Sequence, residues 1–177
     1  MKLKEKYEKE ISGKLAGEFG IQNKMAIPRV TKVVVNAGVG SLVKNKEALE
    51  TFKKDLAAIT GQEPAFKKAK ISIASFNLRQ GMVTGMAVTL RGERMYSFLD
   101  RLFTIVLPRL RDFRGVKTTG FDKAGNYTLG IEEHTVFPEV DVAKGSPHGL
   151  EITIVIRAKN PDQSRRLLAL MGLPFER

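Results

Sequence analysis

Cysteine is missing from this sequence, and histidine occurs only twice, at His134 and His148. The lack of cysteine excludes disulfide bonds, thiolate zinc sites and cysteine nucleophiles, and it fits a reducing compartment such as the cytoplasm. No stretch approaches the roughly 18 consecutive apolar residues of a membrane-spanning helix, and the charged N-terminal stretch lacks the apolar run of a signal peptide. We therefore expect no membrane partner.

Catalytic groups are also scarce. Each histidine is predicted to be a surface or hairpin residue rather than a metal ligand, because neither has the companions of a metal site. Glu132 and Glu133 are adjacent, and adjacent strand residues point to opposite faces, so these carboxylates cannot act together. No Ser–His–Asp arrangement follows from the spacings. We predict that the protein is not an enzyme and has no metal and no cofactor.

The nucleotide-binding motifs of enzymes are incomplete here. Gly38 and Gly40 follow a predicted strand, but Val43 occupies the third glycine position of the dinucleotide fingerprint. The phosphate-binding loop of nucleoside triphosphatases is missing as well. The glycines therefore indicate a close approach of the backbone to a neighbouring element or to a phosphate.

Positive charge is what the sequence has in excess. Its 30 lysines and arginines exceed its 19 acidic residues and leave a formal net charge of +11. This balance predicts a polyanionic partner, either nucleic acid or an anionic membrane face. The lysines and arginines are clustered along the sequence, which favours a nucleic-acid-binding patch over an ordinary solvated surface. One cluster, with Glu93 as its single acid, contains Lys67, Lys68, Lys70, Arg79, Arg91 and Arg94, and a second contains Arg101, Arg109, Arg111 and Arg114.

Hydrophobic periodicity predicts the secondary structure. Helices are expected at 2–19, 46–60, 92–107 and 161–171, strands at 29–39, 65–73, 84–91 and 150–157, and a hairpin at 116–137. The apolar stripe of the first helix is narrow, so we expect it not to be deeply buried.

Three predicted strands share a pattern of one apolar face and one polar or basic face. The polar faces carry Lys32 and Asn36, then Thr89 and Arg91, then Thr153 and Arg157. Antiparallel sheets can leave one face open while helices cover the other. We predict an α+β fold, a two-layer sandwich with a mainly antiparallel sheet, helices on one face and an open RNA-binding face. We expect a single domain over residues 1–177, with an N-terminal helix and a protruding loop at about 71–83.

The centre of that loop has the composition of a contact surface for RNA. Phe76 offers a stacking face, Asn77 and Gln80 offer amide hydrogen bonds, and Arg79 offers a guanidinium. Gly81 allows the backbone to turn. Phe76 could instead anchor a core, but its polar neighbours favour exposure.

These segments resemble a known family along nearly the whole chain. The matching segments are residues 28–30, 36–40, 56–62, 76–81, 88–95, 108–115, 121–122, 125–127 and 137–139. They resemble the bacterial large-subunit ribosomal protein L5 family, whose members bind 5S ribosomal RNA. Residues 140–149 are the clearest departure from the family pattern.

The resemblance implies a structural ribosomal protein that anchors 5S rRNA in the central protuberance of the large subunit. It implies that 5S rRNA docks on the open sheet face and that Asn36, Gln62 and Thr89 belong to this contact. With the basic and small residues nearby, the predicted rRNA-binding set is Arg29, Lys32, Asn36, Gly38, Gln62, Thr89, Arg91 and Arg94. Large-subunit rRNA is a further expected partner.

The resemblance also implies contacts beyond 5S rRNA. The loop would touch the elbow of peptidyl-site tRNA through Phe76, Asn77, Arg79 and Gln80. Residues 140–149 would contact small-subunit protein S13 and form an intersubunit bridge. Away from the cytoplasmic ribosome, we expect a monomer. An RNA-processing enzyme and a DNA-binding architectural protein are the alternatives, although no catalytic constellation supports the first.

Overall fold

The computed structural model describes residues 2–43, 45–111, 113–141 and 147–176. Within these residues the chain has an α+β fold with one five-stranded, open antiparallel sheet and four main helices, as predicted. The strands are β1 (Arg29–Gly38), β2 (Ala65–Lys68), β3 (Val83–Leu90), β4 (Tyr127–Ile131) and β5 (Leu150–Arg157). Their order across the sheet is β2-β3-β1-β5-β4.

Two of the helices contain a wider π-helical turn. Helix α1 consists of Leu3–Lys6, the π turn Tyr7–Ile11 and Ser12–Phe19; α2 is Lys46–Thr60; α3 consists of Gly92–Arg101, the π turn Leu102–Val106 and Leu107–Arg109; α4 is Pro161–Met171. Helix α3 continues past Pro108, where we expected it to end. The π turn ends at Val106, two residues before the proline, which has no N–H to donate to an i−4 carbonyl. None of these described helices is long and apolar enough to cross a membrane.

The chain divides into two compact units. Unit 1 comprises Met1–Val33, Leu90–Leu129 and Ile152–Arg177, and unit 2 comprises Val34–Thr89 and Gly130–Glu151. Strands β1, β3, β4 and β5 each contribute residues to both units.

Helix α1 is more deeply buried in unit 1 than its narrow stripe predicted. Leu3, Ile11 and Leu15 are all buried, so that expectation was wrong. Helices α3 and α4 both pack against α1, and together they cover the stripe. Arg166 of α4 also donates two hydrogen bonds to the Glu18 carboxylate, at 2.7 and 2.6 Å.

The residues at both ends of helix α2 explain its bounds. The Asn45 side chain accepts hydrogen bonds from the backbone N–H groups of Glu47 and Ala48 at 3.1 and 3.2 Å, which caps the helix start. Gly61 ends the helix in the left-handed conformation, with φ +67°. The inward side of the helix then buries Phe52 in the core of unit 2.

Two predicted strand segments are shorter than expected. Strand β2 ends at Lys68, where its register against β3 shifts, rather than at residue 73. The first arm of the predicted 116–137 hairpin is not a strand. Val116 instead forms a parallel bridge with Phe175 from the distant C-terminal segment. The predicted turn is present, since the Asp122 N–H donates to the Asn126 carbonyl at 2.9 Å.

Candidate nucleic-acid interface

Side chains alternate between buried and accessible along the central strands. Val33, Val35 and Ala37 of β1 are buried, whereas Lys32 before Val33 and Asn36 before Ala37 are only half-buried. The same alternation places Val88 and Leu90 of β3 in the core and leaves Thr89 half-buried; in β5, Ile154 and Ile156 are buried and Arg157 is exposed. The predicted open polar face is therefore present.

Thr31 departs from this alternation. Strict alternation along β1 predicts that it belongs to the buried row of Val33, Val35 and Ala37, but it is exposed and Val30 is buried instead. The Thr31 hydroxyl donates to the Val155 carbonyl of β5 at 3.0 Å, so this side chain hydrogen-bonds the neighbouring strand.

Asn36 is the central polar group on the unit 2 part of this face. Its Nδ2 donates to Glu151 Oε2 on β5 at 3.2 Å, which orients the amide. Gly85 on β3 lies beside it, and a Cβ there would come within 3.1 Å of the Ala37 carbonyl oxygen and 3.9 Å of Asn36 Oδ1. The glycine thus keeps the strands close and leaves space beside the Asn36 side chain. Gly38, at the end of β1, is exposed.

Gln62 is held at the end of α2. The buried Thr60 hydroxyl lies 2.7 Å from the Leu56 carbonyl oxygen and 2.9 Å from the Gln62 carbonyl oxygen. This short network and the left-handed Gly61 fix the backbone of Gln62 while its side chain stays half-exposed. Unit 2 therefore contains all three residues that the family resemblance assigned to 5S rRNA, namely Asn36, Gln62 and Thr89.

The predicted rRNA-binding cations of unit 1 have no acidic partner within the described part of the chain. No described carboxylate forms an ion pair with Arg29, Lys32, Arg91 or Arg94. Arg91 and Arg94 are exposed, and Arg29 and Lys32 are half-buried. Unpaired cations at an accessible surface fit the neutralisation of phosphates.

The positive charge of Arg29 acts on two tyrosines of unit 1, Tyr7 and Tyr96. Burial raises the pKa of Tyr7 to about 12, and the positive charge of Arg29 acts in the opposite direction. The Tyr7 hydroxyl donates to the Pro28 carbonyl at 2.9 Å. This bond ties the start of β1, and with it Arg29, to helix α1.

The loop between β2 and β3 is held by its own hydrogen bonds. At its base, the Ala69 N–H donates to the Met82 carbonyl at 2.8 Å and the Gly81 N–H donates to the Ala69 carbonyl at 3.0 Å. Nearer the tip, Ile73 and Leu78 exchange two backbone hydrogen bonds at 2.9 and 3.1 Å. The loop therefore has a defined hairpin-like conformation, with a 3-10 turn at Ala74–Phe76.

The loop tip presents the predicted tRNA-binding side chains to solvent. Phe76 is 77% exposed, so it is not a core anchor, and Asn77, Arg79 and Gln80 are also exposed. Asn77 has φ +50° and is the only non-glycine residue with positive φ among those described. Asparagine tolerates this left-handed conformation better than most residues, and here it reverses the chain behind Phe76. The exposed ring on this internally hydrogen-bonded loop is accessible to a partner.

Comparison with known proteins decides the family. The family model described as "Ribosomal protein L5" matches residues 23–79, and the model for the C-terminus of the same ribosomal family matches residues 83–175. Large ribosomal subunit protein uL5 of Dehalococcoides mccartyi is 49% identical over 178 residues, covering 100% of this chain and 99% of that protein. The proteins of the same name from Dictyoglomus turgidum and Chloroflexus aurantiacus are 50% and 51% identical, each covering 99% of this chain and 98% of the relative.

This chain belongs to the ribosomal protein L5 family. It is therefore a structural, non-enzymatic protein of the large ribosomal subunit. Membership confirms the resemblance that the sequence segments indicated, and it confirms the prediction that the protein is not an enzyme. In bacteria, ribosomes are cytoplasmic, so the predicted location follows from the family.

The two histidines of this L5 protein lie together inside unit 2, which the sequence reasoning missed. We predicted a surface or hairpin position for each histidine; His134 is 1% exposed, so it is not a surface residue. Its Nδ1 accepts a hydrogen bond from the His148 backbone N–H at 3.1 Å, and its Nε2 lies 3.5 Å from Asp55 Oδ2. The Phe52 ring packs edge-on against both imidazoles. This cluster joins helix α2 to the segment that follows residues 142–146. Among the described residues, no group of three or more histidine, aspartate or glutamate side chains could hold a metal ion.

Mild acid should weaken the contacts of His148. Burial, followed by the neighbouring His134, holds the pKa of His148 below its ordinary value. A depressed folded-state pKa means that the stabilising contribution is present above the unfolded pKa of about 6.5 and is lost as pH falls through the folded value. We expect the free energy of unfolding, measured with urea, to fall between about pH 7.5 and about pH 5. His148→Gln should reduce this decrease in the free energy of unfolding. If the decrease were unchanged in the variant, protonation of His148 would not be its cause.

Proposed function

We propose that this L5 protein binds 5S rRNA through the open face of its sheet and through the end of α2. The observation that carries the proposal is the accessible row of polar and cationic side chains described above. In unit 2 the proposed contacts are Asn36, Gly38, Gln62 and Thr89, and in unit 1 they are Arg29, Lys32, Arg91 and Arg94. Cations would neutralise phosphates while amide and hydroxyl groups fix the register of the RNA. Contacts with large-subunit rRNA would use the same chemistry.

We propose a second role for the loop between β2 and β3, namely contact with peptidyl-site tRNA. The support is the ordered backbone of the loop together with its exposed side chains, Phe76, Asn77, Arg79 and Gln80. An exposed ring can stack on an unpaired base, or on the tertiary-folded elbow of a tRNA. Because the loop is internally hydrogen-bonded, less conformational entropy is lost on binding than for an unstructured loop.

Three expectations remain predictions. The S13 contact was predicted for residues 140–149, of which residues 142–146 lie outside the described part of the chain. The monomeric state off the ribosome, and the single domain over residues 1–177, likewise stay predictions. Analytical ultracentrifugation of the purified protein measures the oligomeric state directly.

A comparison of RNA with DNA tests the main proposal. In a gel-shift titration, we expect 5S rRNA to be retarded at protein concentrations that leave a DNA duplex of equal length unbound. Equal retardation of both would favour a DNA-binding architectural protein and would count against the proposal, because phosphate contacts alone do not distinguish sequence or fold.

Salt dependence tests the role of the unpaired cations. Lys32→Ala should weaken 5S rRNA binding and reduce the slope of log affinity against log salt by about one, since one phosphate contact is lost. Lys54→Ala is a matched control, because Lys54 is exposed on α2 and is not in the proposed contact. If both variants changed the slope equally, binding would depend on net charge rather than on the sheet face.

A further inference from the structure

Unit 1 contains a depression that the proposed 5S and tRNA contacts do not use. It has a volume of about 540 Å³ and is lined by Phe113, Arg114, Gly115, Pro174, Phe175 and Glu176. Small-molecule sites typically have volumes of about 300–1,000 Å³, so a single nucleotide would fit. None of the lining residues is among the proposed contacts, although Arg29, Lys32, Arg91 and Arg94 of the proposed 5S contact also belong to unit 1.

The floor of this depression is a fixed piece of backbone. The Val116 N–H donates to the Pro174 carbonyl at 2.8 Å, and the Glu176 N–H donates to the Val116 carbonyl at 3.0 Å. Gly115 has φ +112°, and a Cβ there would lie 2.6 Å from the Glu176 nitrogen. The close approach of the two segments therefore requires glycine at this position.

The walls combine aromatic rings with positive charge. Phe113 and Phe175 are both half-exposed. The Phe175 ring is held by neighbouring Tyr127, with ring centroids 6.0 Å apart and edge-to-face geometry. The guanidinium carbon of Arg165 lies 6.0 Å from the centroid of Phe175. Such a ring presents an apolar surface in a fixed orientation beside a cation.

The described cations around the depression are exposed. No described carboxylate forms an ion pair with Arg114, Lys117 or Arg165, and all three are exposed. Among the described residues of the lining, Glu176 is the only acidic one. An occupant that suits both rings and cations is planar and anionic.

We infer that this depression binds an unpaired nucleotide of RNA, with its base against Phe113 and its phosphate at Arg114. Unpaired bases stack on aromatic side chains and arginine planes, and the attached phosphates provide the negative charge that the rim matches. None of its lining residues belongs to the proposed 5S and tRNA contacts, so the inference adds an RNA contact to them.

The test uses the full-length protein and a single-stranded RNA trinucleotide with 2-aminopurine at its centre, whose fluorescence is quenched by stacking. We expect saturable quenching with the parent protein. Arg114→Gln should weaken binding by about tenfold, since a charge-assisted hydrogen bond is lost. Phe113→Leu should weaken it by about fivefold to a hundredfold and reduce the quenching, since a stacking ring is lost. Lys54→Gln removes the same charge elsewhere and should bind like the parent protein.

Competition separates the possible occupants. Adenosine monophosphate should displace the probe better than ribose 5-phosphate, which has no base. If both competitors displaced the probe equally well, the site would recognise only the phosphate, and the inference would be overturned. A short acidic peptide containing phenylalanine that displaces the probe better than the nucleotide would indicate a protein partner and would also overturn it.

Binding of 5S rRNA distinguishes this inference from the proposed function. Both variants should retain the parent affinity for 5S rRNA, and a parallel loss would place the depression within that contact and overturn its separate role. Thermal unfolding checks that each variant is folded. If Phe113→Leu does not fold, Arg114→Gln still decides the outcome, because Arg114 is exposed and its loss leaves the core intact.

Discussion

Replacing Asn36 with aspartate should reduce the affinity for 5S rRNA by about tenfold to a hundredfold. The substitution keeps the shape of the side chain but removes the Nδ2 donor, which hydrogen-bonds Glu151 at 3.2 Å. It also places a second carboxylate beside Glu151, on a face that we propose meets phosphates. Like charges at this position repel each other and the RNA backbone. Quantitative gel shift at one fixed salt concentration measures the effect.

The chain offers a matched control for this change. Asn45→Asp makes the same chemical substitution at the start of α2, where the side-chain oxygen caps Glu47 and Ala48. Aspartate caps a helix as well as asparagine does, so Asn45→Asp should keep both stability and 5S rRNA affinity. If the two variants bound 5S rRNA equally well, the sheet face around Asn36 would not be the contact.

A second variant separates charge from hydrogen bonding. Thr89→Val keeps the β-branched shape and the net charge while removing one hydroxyl from the open face. We expect a smaller loss, about threefold to tenfold, because a neutral hydrogen bond contributes less than a charged one. An unchanged affinity would remove Thr89 from the proposed contact.

Replacing Phe76 with alanine should weaken retention of peptidyl-site tRNA while leaving 5S rRNA affinity unchanged. The ring is 77% exposed, so its removal costs little folding stability. Loss of one aromatic stacking partner corresponds to about a fivefold to hundredfold loss of affinity. The rate of tRNA dissociation from reassembled ribosomes measures tRNA retention, and gel shift with the free protein measures 5S rRNA affinity.

Phe19→Ala provides the control for removing an exposed ring. Phe19 is 37% exposed at the end of α1, in unit 1, and no RNA contact is proposed for it. Phe19→Ala should change neither tRNA retention nor 5S rRNA affinity. If Phe76→Ala lowered tRNA retention and 5S rRNA affinity together, the division into a loop contact and a sheet contact would be wrong. Arg79→Ala should behave like Phe76→Ala, because both side chains belong to the same exposed tip.

The open face could be predicted because its signal is local. In β1, β3 and β5, alternation with a period of two residues separates the core row from the polar row, and the structure follows this pattern except at Thr31. The bounds of α2 were predictable for the same reason, since Asn45 and Gly61 act on their own neighbours. The exposure of Phe76 followed from its polar neighbours in the sequence.

The errors concern residues whose partners are distant along the chain. Val116 pairs with Phe175 instead of forming a hairpin, and no feature near Val116 indicates that pairing. His134 is flanked by polar residues, yet Phe52 and Asp55 of α2 cover it. The stripe of α1 is buried because two other helices pack against it, a condition that the stripe itself does not encode.

By itself, the sequence determined the class of partner, the alternating faces of the strands and the family, because charge, periodicity and short segments are read directly along the chain. The tertiary structure alone decided the Asn36–Glu151 contact, the histidine cluster and the depression around Phe113 and Phe175. Each of these depends on which distant segments pack together. Burial and backbone hydrogen bonding between such segments are properties of the folded chain as a whole.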